Sequence, residues 1–356
     1  MRASGTLISA LLIVLAACYP TAHAYQQTGH FYTLDVLLHS VSPAWDPDEA
    51  RLIAFCAQLP DEDSQLDAIS VYTTLLVHHP VDYSAWLRGN YSADIVRTMI
   101  TVQQLLHGLT GGDAKAVQQV ASDSLSVLKR NALSSSGENR VQRLCALGFG
   151  LHLYGDAFAH QQMSCTGGKD CPMYDTGVGH ARDFHYPDLP LCDSPASFFQ
   201  ALALHHCDVG HSGRTQHWIG YYSNGARLLG KTDGAGSISG DGLTQLQSAV
   251  WSEASAAYDW NDYAEMQTRN KVDQLPGIDK GVATYFTPDD SSRSCQDVVD
   301  RAGGVLMLPA GTKLSCFSAW KAYRSVVEPA LESSEKSRAQ DFLGRKGLYV
   351  DPISPD

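Results

Sequence analysis

Apolar side chains recur at helical spacing along most of this chain, and that period sets the expected fold. The stretch 46–58 opens on Pro47-Asp48-Glu49, an acidic first turn suited to the positive end of a helix. The stretch 92–109 carries Ile95, Met99, Ile100, Val102 and Leu106 and stops at Thr110-Gly111-Gly112. The same logic predicts helices over 113–133, 139–160, 194–207, 214–229, 242–270 and 318–331. Strand signals are sparse. The best is Val305-Leu306-Met307-Leu308-Pro309, expected as a small hairpin closed by Cys295 and Cys316. Between the helices, 164–190 is rich in Gly, Cys, Asp and Pro, and longer than an ordinary connection. The stretch 230–242 reads as a surface loop. The pattern therefore predicts an all-α, multi-helix domain over 25–275 with one long structured loop. A disulfide-braced C-terminal extension, 276–356, is expected to pack on the same domain.

The first 24 residues break this pattern and read as a secretory signal. Arg2 precedes an apolar run from Leu7 to Ala17, shorter than the ~20 residues a membrane helix needs. Two processing routes are open. Ala22-His23-Ala24 is a small-x-small cleavage site that would make Tyr25 the new N-terminus. Leu15-Ala16-Ala17-Cys18 resembles a lipoprotein box that would acylate Cys18. Cleavage before Tyr25, the favoured route, implies a secreted or periplasmic protein, and acylation would instead leave it lipid-anchored at Cys18. Nine cysteines minus Cys18 leave eight, an even number that suggests disulfides in an oxidising compartment. Cys165–Cys171 and Cys295–Cys316 are the expected local pairs.

Charge narrows the function classes. The chain holds 26 basic and 38 acidic residues, a net charge of −12. Such a field repels polyanions at long range, so no stable nucleic-acid partner is expected, although bound cations could offset it locally. No P-loop, dinucleotide fingerprint or Gly-x-Ser-x-Gly motif occurs.

The candidate chemistry lies in His152-Leu-Tyr-Gly-Asp156-Ala-Phe-Ala-His160. Steps of four place all three polar side chains on one stripe of a helix, in a segment otherwise apolar. Burying an imidazole or a carboxylate without a partner is costly, so something must satisfy them. Asp156 accepting hydrogen bonds from its two histidine neighbours is one answer. A metal is the other, because more histidine and carboxylate stand elsewhere: His30, Asp61 and Asp63 at a helix end, His78 and His79 on or after an apolar run, and His180 and His185 in the long loop. Such mixtures suit zinc. His152 and His160 are about 12 Å apart along a helix axis, too far for easy chelation of one ion. Asp156 between them is placed to bridge, which favours a multinuclear site of the kind used on phosphoesters.

These residues, with Gly29-His30-Phe31-Tyr32 and Gly179-His180-Ala181 before His185-Tyr186-Pro187-Asp188, resemble the zinc-dependent phospholipase C and single-strand-specific zinc nuclease superfamily. The resemblance covers residues 25 to about 190 and implies an all-α fold with two or three zinc ions in a cleft. It implies that a processed Tyr25 is itself a ligand, followed by His30. Asp61, with Asp63 second, would be the helix-end carboxylate, and His79 or His78 the histidine about fifteen residues on. His152 and Asp156 match the His-x-x-x-Asp of that superfamily. His160 follows Asp156 by four residues where the family has six, and His180-Ala-Arg-Asp183-Phe-His185 departs from the family's last pair, which leaves a third ion to His185. The implied activity is hydrolysis of a phosphodiester, with a phospholipid head group as substrate and Asp61 or Asp63 orienting a metal-activated water. The alternatives are a nuclease of the same fold and a non-catalytic exported zinc-binding protein. A second cluster, His205, His206, His211 and His217, reads as helix-end or surface residues.

Overall fold

The computed structural model describes residues 30, 34, 37–38, 41–42, 44–162, 172–177, 179, 221, 224–230, 237–238, 294–303, 306–334 and 348–353. Among them the chain is helical: α1 (Pro47–Glu62), α2 (Ala68–His78), α3 (Pro80–Trp86), α4 (Asp94–Thr101), α5 (Ala114–Leu133), α6 (Gly137–Ala159), α7 (Cys295–Ala302) and α8 (Cys316–Glu332). A shorter helical stretch runs over 224–229. The one strand ladder among the described residues pairs β1 (Val41–Ser42) antiparallel with β2 (Ser237–Ile238).

Capping explains the helix starts. Asp46, Asp67, Asp113, Ser294 and Ser315 each accept a backbone N–H from the first turn of the helix that follows. Ser294 and Asp297 form a reciprocal capping box, which starts a helix that apolar periodicity does not predict. The stretch 306–309 is turn and coil rather than the expected strand. Its neighbour Cys295–Cys316 does form, and it ties α7 to α8.

Helix α6 is the axis of the core, with α1, α5 and α8 packed around it. Two glycines permit that crowding. A Cβ on Gly148 would meet the Ile53 carbonyl at 2.5 Å and Cys56 Cβ at 2.6 Å, so only glycine lets α1 approach this closely. A Cβ on Gly150 would strike Leu128 of α5 at 2.6 Å on another side. One turn before Gly148, Cys145 is bonded to Cys56, both fully buried. A cross-link closing 89 residues removes roughly 4–5 kcal/mol of unfolded-state freedom in the chain-entropy account. Tyr323 of α8 donates to the Leu105 carbonyl, and its ring meets Phe149 edge-on at 5.9 Å. The segment 348–353 straps α4 to α8: Arg97 donates to Leu348 O, the Val350 N–H to Thr101, and Trp320 and Arg324 to Asp351. No helix among the described residues is long and apolar enough to cross a membrane.

Candidate metal centre

The close α1–α6 contact runs directly into the cluster of polar residues. From Cys145 and Gly148, two further turns of α6 bring His152 and Asp156 onto the face that meets α1. On α1 the matching advance runs from Cys56 and Ala57 to Asp61, near the helix end. His152 Nδ1 donates to the Ala57 carbonyl at 2.7 Å, which joins the two helices at that level. Pro60, inside the last turn of α1, cannot donate to the Cys56 carbonyl, so the helical ladder thins where Asp61 is presented.

The third contributor is His107, which sequence reasoning missed. Periodicity predicts one helix over 92–109. The chain instead leaves α4 at Thr101, makes a π turn over Val102–Leu106, and ends at His107. Such wide turns are frequent at functional sites. Gly108 follows at φ +61°, a conformation that suits glycine and stops the helix. His107 Nε2 donates to Leu66 O at 2.9 Å, and its Nδ1 turns inward. The available signal was a histidine next to glycine at the end of an otherwise apolar helix.

Five side chains meet here, all 0–2% exposed. Asp156 Oδ2 lies 2.9 Å from His107 Nδ1 and 3.2 Å from His152 Nε2, while its Oδ1 lies 3.1 Å from His30 Nε2. Asp61 Oδ1 is 3.6 Å from His152 Nε2 and 3.9 Å from His107 Nδ1, and its Oδ2 is 3.9 Å from His30 Nε2. His107 Nδ1 and His152 Nε2 are 3.1 Å apart. The rings of His30 and His152 stack with centroids at 4.1 Å.

The chemistry of these contacts is specific. A carbonyl can only accept, so His152 carries a proton on Nδ1 and His107 one on Nε2. Burial pushes His152 down to about 3, against the pull of Asp156, which leaves the ring neutral. Burial also works to raise Asp156, but the surrounding imidazoles of His152, His160 and His107 hold it well below the carboxylate range. The inward nitrogens of His107 and His152 face each other and the carboxylate of Asp156, and either a proton or a cation fills such a gap. With those nitrogens deprotonated, acceptors are aimed at acceptors in a dry interior, an arrangement that a bound cation satisfies. Donors held by a cation at about 2.0–2.2 Å lie roughly 3–3.5 Å from one another, near the distances found here. Two overlapping sets, His30-Asp61-His152 and His107-His152-Asp156, could each hold a metal ion. The backbone carbonyls of Ala57 and Leu66 act as the outer partners that fix each ring's tautomer and tilt, a usual feature around metal-ligating histidine.

The other predicted residues fall elsewhere. His160, the C-cap of α6, sits beside the cluster and donates from Nδ1 to the His107 carbonyl at 2.7 Å, with Asp156 Oδ2 3.8 Å away. It lies outside both donor sets, and its contact braces the backbone of His107. Asp63 is buried at the C-cap of α1 but belongs to neither donor set. The Gln65 amide donates to it at 2.9 Å, and burial pushes its carboxyl up to about 7 against the backbone of Gln65 and Cys295. His78 and His79 are exposed at the junction of α2 and α3, with His79 Nδ1 3.6 Å from Asp82. Neither reaches the cluster. The histidine that accompanies Asp61 is His107, 46 residues on rather than about fifteen, because the chain between them makes a helical excursion before returning. Tyr25, His180, His185 and the Cys165–Cys171 pair lie outside the described residues, as do the helices expected over 194–207 and 242–270.

Residues 172–177 tie back to the end of α6 and to the loop that follows His107. Tyr174 N–H donates to His160 O, Met173 N–H to Gly112 O and Gly111 N–H to Tyr174 O. Buried Gln103 clamps Gly177 through both its amide ends. No protein-family model matches this chain, and no curated protein or solved structure shows a significant match to it.

Proposed function

We propose that this chain is an exported zinc-dependent phosphoric ester hydrolase that cleaves phospholipid head groups in the manner of a phospholipase C. The observation that supports it most is the convergence of the inward ring nitrogens of His107 and His152, 3.1 Å apart, on the buried carboxylate of Asp156. Imidazole and carboxylate donors in this proportion suit zinc. His30, His107, His152, Asp61 and Asp156 would hold it, and ligands contributed by Tyr25, His180 and His185 would complete a two- or three-ion site. When bound, zinc polarises a phosphoryl oxygen and lowers the pKa of a coordinated water to about 7.

The chain's own groups do the rest. Ala57 and Leu66 carbonyls hold a proton on the outer nitrogens of His152 and His107 and aim the inner nitrogens at the site. Asp61 directs one oxygen toward His30 and the other toward His107 and His152, which suits it to orient an attacking water and take its proton. Two disulfides are compatible with an oxidising compartment. The acidic balance favours a lipid substrate over nucleic acid.

One observation favours a second reading. Every described donor residue is 0–2% exposed, and closed sites are the mark of structural rather than catalytic zinc. Hydrolysis of a soluble phosphocholine diester, assayed before and after chelation and zinc repletion, separates the two. The hydrolase reading requires turnover that chelation abolishes and zinc restores. Metal bound at full stoichiometry with no turnover would establish the structural reading instead.

A further inference from the structure

Among the described residues, three of the four large apolar side chains left in solvent fall on one corner: Val77 at 48%, Val81 at 78% and Leu87 at 63% exposure. The corner is the α2–α3 turn around Pro80, and α3 buries no residue at all. Clusters of this kind mark interaction sites, whereas scattered apolar residues do not. Beneath the aliphatic tips lies an aromatic group. Tyr83 packs against Trp86 with ring centroids 5.7 Å apart, Tyr72 lies edge-on to both, and the Tyr72 and Tyr83 hydroxyls meet at 3.2 Å.

The charge on this corner differs from that of the chain as a whole. Over 68–91 the only formally charged side chains are Asp82 and Arg88, in a chain of net charge −12. Asp82 is partnered by His79, while Arg88 and His78 are exposed beside the apolar tips. Exposed aliphatics over Trp and Tyr, in a stretch whose single Asp and single Arg balance, complement the boundary of a phospholipid bilayer, where rings sit at head-group level and a guanidinium meets phosphate. The corner also leads to the metal centre. Trp86 lies against Gly177, where a Cβ would sit 2.3 Å from the ring, and Gly177 is clamped by Gln103, four residues before His107.

We propose that the α2–α3 corner docks this protein on a phospholipid surface. This inference rests on the phospholipase reading for its purpose, but it stands on separate residues. The test is flotation of the full chain with phosphatidylcholine vesicles, with and without phosphatidylserine. Wild type is expected to float with the vesicles, and Val81→Asp/Leu87→Asp to bind at least about tenfold more weakly with an unchanged melting temperature. Arg88→Gln should lose only the increment that phosphatidylserine adds. Equal binding by wild type and the double variant overturns the proposal, as does no binding by either. A change from dimer to monomer in the double variant, with no vesicle binding, would show that a second copy covers this face and would also overturn it. Turnover of the soluble phosphocholine diester separates the two claims. It should persist in the double variant, and its absence from wild type that still floats would defeat the hydrolase reading while leaving the docking surface standing.

Discussion

Two groups of histidines in this chain have opposite surroundings. His107 and His152 are buried, each with one ring nitrogen bound to a backbone carbonyl and the other turned toward ionised carboxylate. His78 and His79 stand in solvent, and the one described partner, Asp82, is 3.6 Å away with both side chains well exposed. The side chain is the same in each place. What differs is whether the fold commits one nitrogen as a donor to backbone and turns the other toward the cluster. An atom that holds the far side of an imidazole orients it for a metal, and the Ala57 and Leu66 carbonyls do this in the buried group.

Breaking the buried group should have the largest effect. Asp156→Asn keeps the shape but removes the charge that three imidazoles face. Metal affinity should fall by at least about 100-fold, read by competition with a chromophoric chelator, and full-strength binding in that variant would remove Asp156 from the site. Gly148→Ala should come next. A methyl group there meets backbone of α1, and about 2–3 kcal/mol of stability should be lost in urea unfolding. Metal affinity should fall as well, because the same contact sets the distance from Ala57 to His152.

The third effect is smaller and depends on pH. Partial burial works to raise Asp351, but the hydrogen bonds from Arg324, Trp320 and Lys321 hold it below its usual value of 3.8. Its folded pKa is depressed, so its contribution is present above the unfolded value and is lost as pH falls through the folded one. Asp351→Asn should cost at most ~1 kcal/mol at pH 7, since the group is partly exposed, and the gap between wild type and variant should close in acid. The smallest effect belongs to the exposed pair. His78→Gln and His79→Gln should each leave stability within about 0.5 kcal/mol and metal content unchanged, a loss of metal in either being the result that would erase the contrast.

The helical class and the helices over α1, α5, α6 and α8 were legible because each carries a long amphipathic period or a clear cap. Helices α2 and α3 were read only as an apolar run, since a proline interrupts them and α3 has no buried face to generate a period. The site was legible where it followed local spacing. His152 and Asp156 share a helix stripe, and Asp61 ends a helix. His107 was not legible, because a π turn changes the helical advance just before it and periodicity assumes that advance is constant. Its distance from Asp61 in the chain also gave no warning, since two helices intervene and only tertiary packing brings the chain back. Cys56–Cys145 was hidden for the same reason, as it joins residues 89 apart.

The central claim is that the buried imidazoles and carboxylates hold a divalent cation. Native mass spectrometry of the purified chain and of His107→Ala, each offered zinc in excess, tests it most directly. The account predicts at least one tightly held zinc per wild-type chain, removed only by strong chelator, and at least one fewer in the variant. A folded wild-type chain that takes up no zinc, or a variant that holds as much as wild type, would contradict it.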